Sequence, residues 1–252
     1  MSATAILRVA GLSKSWGRLR AVSRVGFELA AGEMLAMIGP NGAGKTTCFN
    51  MLNGQIAPDA GRIEFAGHSL AGRAPREIWR LGVGRTFQIA ATFASMTLRE
   101  NVQTALLSRE RSLWQFVSLA ARRHLAEADA LLAQVGLLDQ AERPAALLAY
   151  GDLKRLELAL ALAGRPRLLL MDEPTAGMAA KERDALMRRV TDLARESGIA
   201  VLFTEHDMDV VFGYADRVLV MHEGELIATG RPAEVRADAR VREVYLGSGT
   251  DA

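Results

Sequence analysis

Residues 39–46 read Gly-Pro-Asn-Gly-Ala-Gly-Lys-Thr, which is the spacing G-x-x-x-x-G-K-[ST] of a phosphate-binding loop. Its glycines let the backbone curl tightly, so that several N–H groups point into one concavity sized for phosphates. Lys45 adds a cation for the outer phosphates, and the Thr46 hydroxyl can ligate Mg²⁺. The stretch therefore predicts a nucleoside triphosphate site. Its candidate binding residues are Gly39, Pro40, Asn41, Gly42, Ala43, Gly44, Lys45, Thr46 and Thr47.

The segments on either side of the loop support this interpretation. Residues 34–38 are a short apolar run typical of a buried strand, and residues 46–52 have the composition of a following helix. The N-terminal end of such a helix favours a bound anion. A glycine-rich turn with a chance lysine is the alternative, and the strand and helix together argue against it.

Composition narrows the class of protein. The 252 residues are 50% hydrophobic and 24% charged with a net charge of +2, which is ordinary for a soluble protein and gives no electrostatic reason to expect nucleic acid as a partner. The single cysteine, Cys48, excludes an intrachain disulfide and suits a reducing compartment. We see no signal peptide and no apolar run of the ~20 residues needed to span a bilayer, so we expect a cytoplasmic chain, and any membrane role would have to come through a partner.

Along the chain, strand and helix signals alternate on either side of a block at about 97–148 that has only helix signals, called the helical block below. We expect antiparallel strands at 6–9, 25–29 and 61–66; helices at 98–107, within 113–135, at 152–163 and at 181–196; buried strands at 167–171 and 200–204; and a hairpin turn at 223–224. This pattern predicts an α/β fold with a parallel sheet. We expect one domain over 1–252: residues 1–96 and 152–252 form a P-loop NTPase (RecA-like) core with an N-terminal antiparallel β subdomain, and 97–151 form an inserted α-helical subdomain.

Two carboxylates follow the apolar run at 168–171. Asp172, at the carboxyl end of the predicted strand, is placed to hold Mg²⁺ directly or through water, and Glu173 is placed to polarise an attacking water. Two solvated acids at a strand end are the alternative, which the phosphate loop disfavours.

A further motif lies at 148–152, where Leu-Ala-Tyr-Gly-Asp ends twenty residues before Asp172. With this order of motifs the chain resembles the ATP-binding subunits of ABC transporters over essentially its full length. The resemblance implies that Asp172 and Glu173 are the Walker B pair, with Glu173 and His206 catalytic. It also implies that Trp16 stacks on the nucleotide and that Gln88 contacts both the nucleotide and Mg²⁺. The signature residues implied to contact nucleotide are Ala149, Tyr150 and Gly151.

The resemblance further implies a head-to-tail dimer of two ATPase subunits, equal or different, in which ATP lies between the loop of one and the signature helix of the other. Transmembrane permeases and, indirectly, a periplasmic or extracellular solute-binding protein are implied as partners, with the ATPase peripheral on the cytoplasmic face of the plasma membrane. Two residues depart from the family pattern. Ala149 stands where the signature usually has serine, and Ala179 stands where a polar residue is usual.

Several segments of the chain are similar to the corresponding segments of the ATPases of branched-chain amino acid importers. The similar segments are the tyrosine-containing signature with residues 154–157, and residues 85–88, 96–102 and 245–247. An importer for another small polar solute, such as urea or an amide, is an alternative. A soluble non-transport ABC ATPase is the other, but the single loop, single signature and nearly neutral charge favour transport.

The apolar run 89–96 carries no charge and lies between Gln88 and the helical block. Such a run would be unusual if left exposed, so we expect a docking site for the permeases there. In the alternative, Phe93 and Met96 fold back into the core of the chain.

Overall fold

The computed structural model describes residues 5–86, 92–109 and 124–246. Strands in these ranges are β1 (Ala5–Trp16), β2 (Leu19–Ala30), β3 (Met34–Ile38), β4 (Ala60–Phe65), β5 (His68–Ser69), β6 (Val83–Thr86), β7 (Leu168–Asp172), β8 (Ala200–Thr204), β9 (Arg217–His222) and β10 (Glu225–Gly230). Helices are α1 (Lys45–Leu52), α2 (Pro75–Arg80), α3 (Leu98–Arg109), α4 (Leu125–Val135), α5 (Tyr150–Ala163), α6 (Ala180–Ser197), α7 (Met208–Tyr214), α8 (Pro232–Ala237) and α9 (Ala239–Leu246).

A six-stranded sheet forms the centre of the fold, with strand order β10-β9-β3-β8-β7-β6. All neighbouring pairs are parallel except β9 with β10, whose hairpin turns at Glu223-Gly224 as predicted. Every residue of β3, β7 and β8 is buried, because helices or the second sheet cover both faces. The carboxyl ends of these strands therefore meet at one edge of the sheet, next to the loop that follows β3.

Successive residues of β3 face opposite sides of this sheet. Met34, Ala36 and Ile38 pack in one hydrophobic cluster with the helical block, while Leu35 and Met37 pack in a second one with α1 and the other sheet. The predicted parallel α/β core is confirmed in this arrangement.

The second sheet is four-stranded and antiparallel, with strand order β2-β1-β4-β5. Both β1 and β2 extend well beyond the apolar segments that marked them in the sequence. Their additional residues are mostly polar or exposed and pair through backbone hydrogen bonds, which periodicity of apolar residues does not reveal. The extension carries Trp16 to the end of β1, beside the phosphate-binding loop.

Between residues 97 and 149, the described part of the chain forms α3, α4 and two single-turn 3₁₀ helices. The capping box at the start of α3 is present: Glu100 N–H donates to Thr97 Oγ1 at 3.2 Å and Thr97 N–H to the Glu100 carboxylate at 2.8 Å. Gly136 ends α4 with φ 72°. Of the predicted helical segment 113–135, the part that precedes α4 lies mostly outside the described residues. The division into subdomains at residues 97 and 151 stays a prediction.

The helix predicted to begin at residue 152 begins at Tyr150, within the signature motif and two residues earlier than the sequence predicted. Ala149 is extended and its carbonyl accepts a hydrogen bond from Leu153 N–H at 3.0 Å, which closes the first turn. Within the described ranges, none of the helices has both the length and the apolar character needed to cross a membrane.

Candidate functional site

The phosphate-binding loop needs glycine at two positions because the chain approaches itself closely there. A side chain at Gly39 would place Cβ 2.3 Å from the carbonyl oxygen of Met221. A side chain at Gly44 would lie 2.3 Å from the carbonyl oxygen of Ala21, and Gly44 has φ 98°. The loop is thus fixed between β9 and β2.

Lys45 is the first residue of α1 and is buried. Its Nζ donates to the carbonyl oxygens of Gly39 at 2.6 Å and Pro40 at 3.1 Å. Burial lowers the pKa of Lys45, and the charges of Glu173 and Asp172 oppose that shift. No side chain caps α1 and no acidic residue lies in its first turn, so its N-terminal N–H groups are available to an anion.

A cavity of about 570 Å³ opens over this loop. Residues 41–47 line it together with Trp16, Glu173 and Glu223. Trp16 is 53% exposed, and the Lys14 ammonium lies 5.0 Å from its ring centroid. The fold therefore brings Trp16 to the phosphate loop, as a stacking role requires, and adds Glu223, which sequence reasoning missed.

Asp172 is buried at the end of β7, next to β6 and β8. Thr204 Oγ1 donates to its Oδ1 at 2.7 Å, and an Arg85 guanidinium nitrogen lies 3.5 Å from its Oδ2. Arg85 also donates to Asn50 Oδ1 at 2.7 Å. Sequence reasoning missed Arg85 and Thr204, because their proximity to Asp172 depends on the order of the strands.

Glu173 adopts φ 50°, a left-handed conformation that is uncommon for a residue other than glycine. Its N–H donates to Thr204 Oγ1 at 3.0 Å. Its Oε1 lies 2.9 Å from Nε2 of His206. The structure thus joins the two residues predicted to be catalytic, and a strained backbone at such a position is typical of functional sites.

A second contact ties the segments of Glu173 and His206 together. Glu205 is buried, and its Oε1 accepts hydrogen bonds from Thr175 N–H at 2.8 Å and Thr175 Oγ1 at 2.6 Å. The segment that follows Glu173 is therefore held to the segment that carries His206. Glu205 was not among the predicted site residues.

The signature residues lie elsewhere. Tyr150 and Gly151 form the first turn of α5, Ala149 precedes it, and none of the three is among the described residues that line the cavity over the loop. No side chain caps this helix N-terminus, and Tyr150 is exposed. Gln88 falls outside the described residues.

The residues predicted for Mg²⁺ have suitable chemistry. Thr46 and Asp172 supply oxygen ligands, the kind that Mg²⁺ prefers. The described residues contain no group of three or more His, Cys, Asp or Glu side chains that could hold a metal by themselves. This donor set fits a cation shared with nucleotide phosphates, because Mg²⁺ often binds through one or two protein ligands plus phosphate and water.

Comparison with known proteins identifies the chain's family. A sequence model described as ABC transporter matches residues 22–176. The chain belongs to the ABC transporter family. A second model, described as branched-chain amino acid ATP-binding cassette transporter, matches residues 225–251. These matches confirm the resemblance inferred from the motifs.

Relatives match over nearly the whole chain. The high-affinity branched-chain amino acid transport ATP-binding protein LivG of Salmonella typhimurium is 39% identical over 249 residues, covering 96% of this chain and 98% of that protein. The high-affinity branched-chain amino acid transport ATP-binding protein BraF of Pseudomonas aeruginosa is 39% identical over 252 residues, covering 96% of this chain and 98% of that protein.

A solved structure of the ADP conformation of an ATP-binding cassette of an ABC transporter is similar with TM-score 0.87 and 31% identity. The similarity covers 97% of this chain and 100% of that one. The P-loop NTPase fold is therefore confirmed, and the chain is an ABC transporter ATPase.

Proposed function

We propose that the chain is the ATP-hydrolysing motor subunit of an importer for branched-chain amino acids, bound to the cytoplasmic face of the membrane. The observation that carries the substrate class is the match of residues 225–251 to a branched-chain amino acid transporter model. The descriptions of the relatives, LivG and BraF, support it over nearly the full chain.

The site geometry supports the following division of roles. The loop and the N-terminus of α1 bind the phosphates, Lys45 neutralises the outer ones, and Trp16 stacks on adenine. Glu173 takes the proton of the attacking water, while His206 orients Glu173 through their 2.9 Å contact. Mg²⁺, held by Thr46 and Asp172, would neutralise charge on the phosphate oxygens.

The separate position of the signature residues supports a head-to-tail dimer. The N-terminus of α5 has no side-chain cap, and Ala149 and Tyr150 are exposed there, so it offers N–H groups and a positive dipole end to the γ-phosphate bound by a partner subunit. Ala149 supplies no hydroxyl there, so backbone N–H groups carry this contact. ATP binding and dimer closure are then linked, because each chain surrounds only part of the nucleotide.

The import proposal is tested by reconstitution. The chain, its permeases and a solute-binding protein are placed in proteoliposomes, and ATP hydrolysis is measured with and without leucine. We expect leucine to stimulate hydrolysis and to be taken up, with urea and acetamide inactive. Stimulation by urea or an amide and not by leucine would overturn the substrate assignment.

The docking groove for the permeases is proposed where the sequence predicted it. Phe93 is 53% exposed, so the alternative in which it folds back into the core is wrong for this residue, while Met96 is half-buried. Asn101 holds the chain at Phe93: its Oδ1 accepts from Phe93 N–H at 2.8 Å and its Nδ2 donates to Phe93 O at 3.1 Å. Residues 89–91 lie outside the described ranges.

Phe93 lines an open groove of about 370 Å³. Its apolar lining also includes Pro75, Ile78, Trp79, Val83, Ala105, Leu160 and Ala161. An apolar groove rimmed by polar residues is typical of a protein interaction site. It lies between β6, which leads to Gln88, and the helical block.

We expect Phe93→Asp to release the subunit from its permeases, because a charge at the mouth of an apolar groove must be desolvated on docking. ATP binding by the isolated chain should persist, since Phe93 does not line the nucleotide cavity. Co-purification with the membrane complex and nucleotide titration measure the two effects, with Phe93→Leu as the matched apolar control. Normal assembly of Phe93→Asp, or joint loss of assembly and ATP binding, would contradict the docking assignment.

A further inference from the structure

The wall of this groove contains a carboxylate oxygen that is unsatisfied. Glu157 lies on α5, is 6% exposed, and contributes to the groove wall. Its Oε2 is 3.2 Å from the Lys154 ammonium. Its Oε1 is buried and finds no hydrogen-bond partner in the part of the chain that the structure describes.

A buried acceptor without a donor is costly, and native proteins contain few of them. Burial raises the pKa of Glu157, and the opposing effect of Lys154 is smaller. Lys154 has a second contact, because its ammonium lies 5.5 Å from the centroid of the Tyr150 ring. Glu157 Oε1 is thus an unsatisfied acceptor in the wall of the groove, and a donor supplied by an occupant of the groove would satisfy it.

Three of the polar side chains that share the groove with Glu157 have other partners. Thr104 Oγ1 donates to the Glu100 carbonyl oxygen at 2.8 Å. Asn101 Nδ2 donates to the carbonyl oxygens of Phe93 and Thr97 at 3.1 and 2.9 Å. Arg85 contacts Asp172 and Asn50. These groups hold the groove in shape and leave the Glu157 oxygen for the occupant.

Charge indicates which kind of donor fits. The buried charges in the wall of the groove are already paired, Glu157 with Lys154 and Arg85 with Asp172. A cationic donor would add an unbalanced buried charge, whereas an amide, hydroxyl or indole N–H would not.

We propose that the groove binds a permease segment that inserts an apolar side chain beside Phe93 and donates a hydrogen bond from a neutral side chain to Glu157 Oε1. The inference rests on the proposed function, since it takes the permease as occupant. Apolar contact area then supplies affinity, and the buried acceptor sets specificity, because a segment without the donor leaves that oxygen unpaired.

The test compares two double variants that both carry Lys154→Leu. Adding Glu157→Leu removes the acceptor together with the buried cation, so that no unpaired charge remains. Adding Glu157→Gln instead restores a neutral acceptor. Thermal unfolding and ATP binding of the isolated chains are measured first, and we expect the two variants to agree.

The probe is the permease pair that co-purifies with the tagged wild-type chain, stripped of ATPase and placed in nanodiscs. We expect the double variant that combines Lys154→Leu with Glu157→Leu to bind about 10-fold or more weakly than wild type, the loss expected for a hydrogen bond to a charged group. The variant with Glu157→Gln should recover most of this loss. The loss should be the same at low and high salt, because the donor is neutral.

Equal affinity of the two double variants, or a loss that disappears at high salt, would overturn the inference. Either result leaves the docking site intact if Phe93→Asp still prevents binding. Failure of the proposed function gives a different pattern, in which no permease co-purifies with the wild-type chain. If Phe93→Asp binds as wild type does, the docking assignment is wrong and this inference is wrong with it.

Discussion

Glu173→Gln is expected to lower ATP hydrolysis by about 10²–10⁴-fold, the range typical of a lost general base. Glutamine keeps the shape of the side chain and can still accept a hydrogen bond from His206, but it cannot take a proton from water. ATP binding should persist, because the change removes a negative charge near the phosphates and near Lys45, whose pKa Glu173 influences. A closed, ATP-bound dimer should therefore accumulate when the second site of the dimer is disabled as well.

Single-turnover hydrolysis, nucleotide titration and size-exclusion chromatography with ATP measure these three effects. Glu196→Gln, the same substitution on the exposed face of α6, is the matched control and should behave as wild type. Normal hydrolysis by Glu173→Gln would remove Glu173 from the role of base, whatever its contact with His206.

The contact between Glu173 and His206 adds a test of coupling. Because the two side chains meet at 2.9 Å, His206→Ala should also slow hydrolysis. The combined variant should be little slower than Glu173→Gln alone, because residues that act as a unit are not additive. Additive losses would mean that His206 acts independently, for example on the phosphate.

The sequence predicted the parts of the site that are contiguous along the chain. The phosphate loop is recognisable because glycine, lysine and threonine each have a chemical role at fixed spacing, and Asp172 and Glu173 because they end an apolar strand. Trp16 was predicted through the family resemblance, and the long β1 explains how it reaches the loop.

Contacts between segments that are distant along the chain could not be predicted from the sequence. Arg85 meets Asp172 because β6 lies beside β7, and Glu205 meets Thr175 because β7 lies beside β8. Apolar periodicity identifies strands without giving their order, so it cannot pair these side chains. The unsatisfied oxygen of Glu157 needed atomic positions, since α5 reads in sequence as an ordinary helix with an i,i+3 ion pair.

Lys45→Met is expected to abolish hydrolysis and to weaken ATP binding by about 10–100-fold, as loss of a charged hydrogen-bond donor to phosphate implies. Methionine keeps much of the buried stem, so the change tests the charge with little loss of packing. In this structure the ammonium donates to two loop carbonyls, Gly39 at 2.6 Å and Pro40 at 3.1 Å, and it must turn from them to the phosphates when nucleotide binds.

Fluorescent ATP titration, steady-state hydrolysis and thermal unfolding separate these contributions for Lys45. Lys181→Met, on the exposed start of α6, removes the same charge away from the nucleotide and should leave ATP binding unchanged. A small change in melting temperature, together with lost nucleotide affinity, would show that the cation serves the ligand and not the fold. Near-normal turnover by Lys45→Met would refute the assignment of residues 39–46 as the phosphate site, because without this cation no other side chain of the loop can neutralise the outer phosphates.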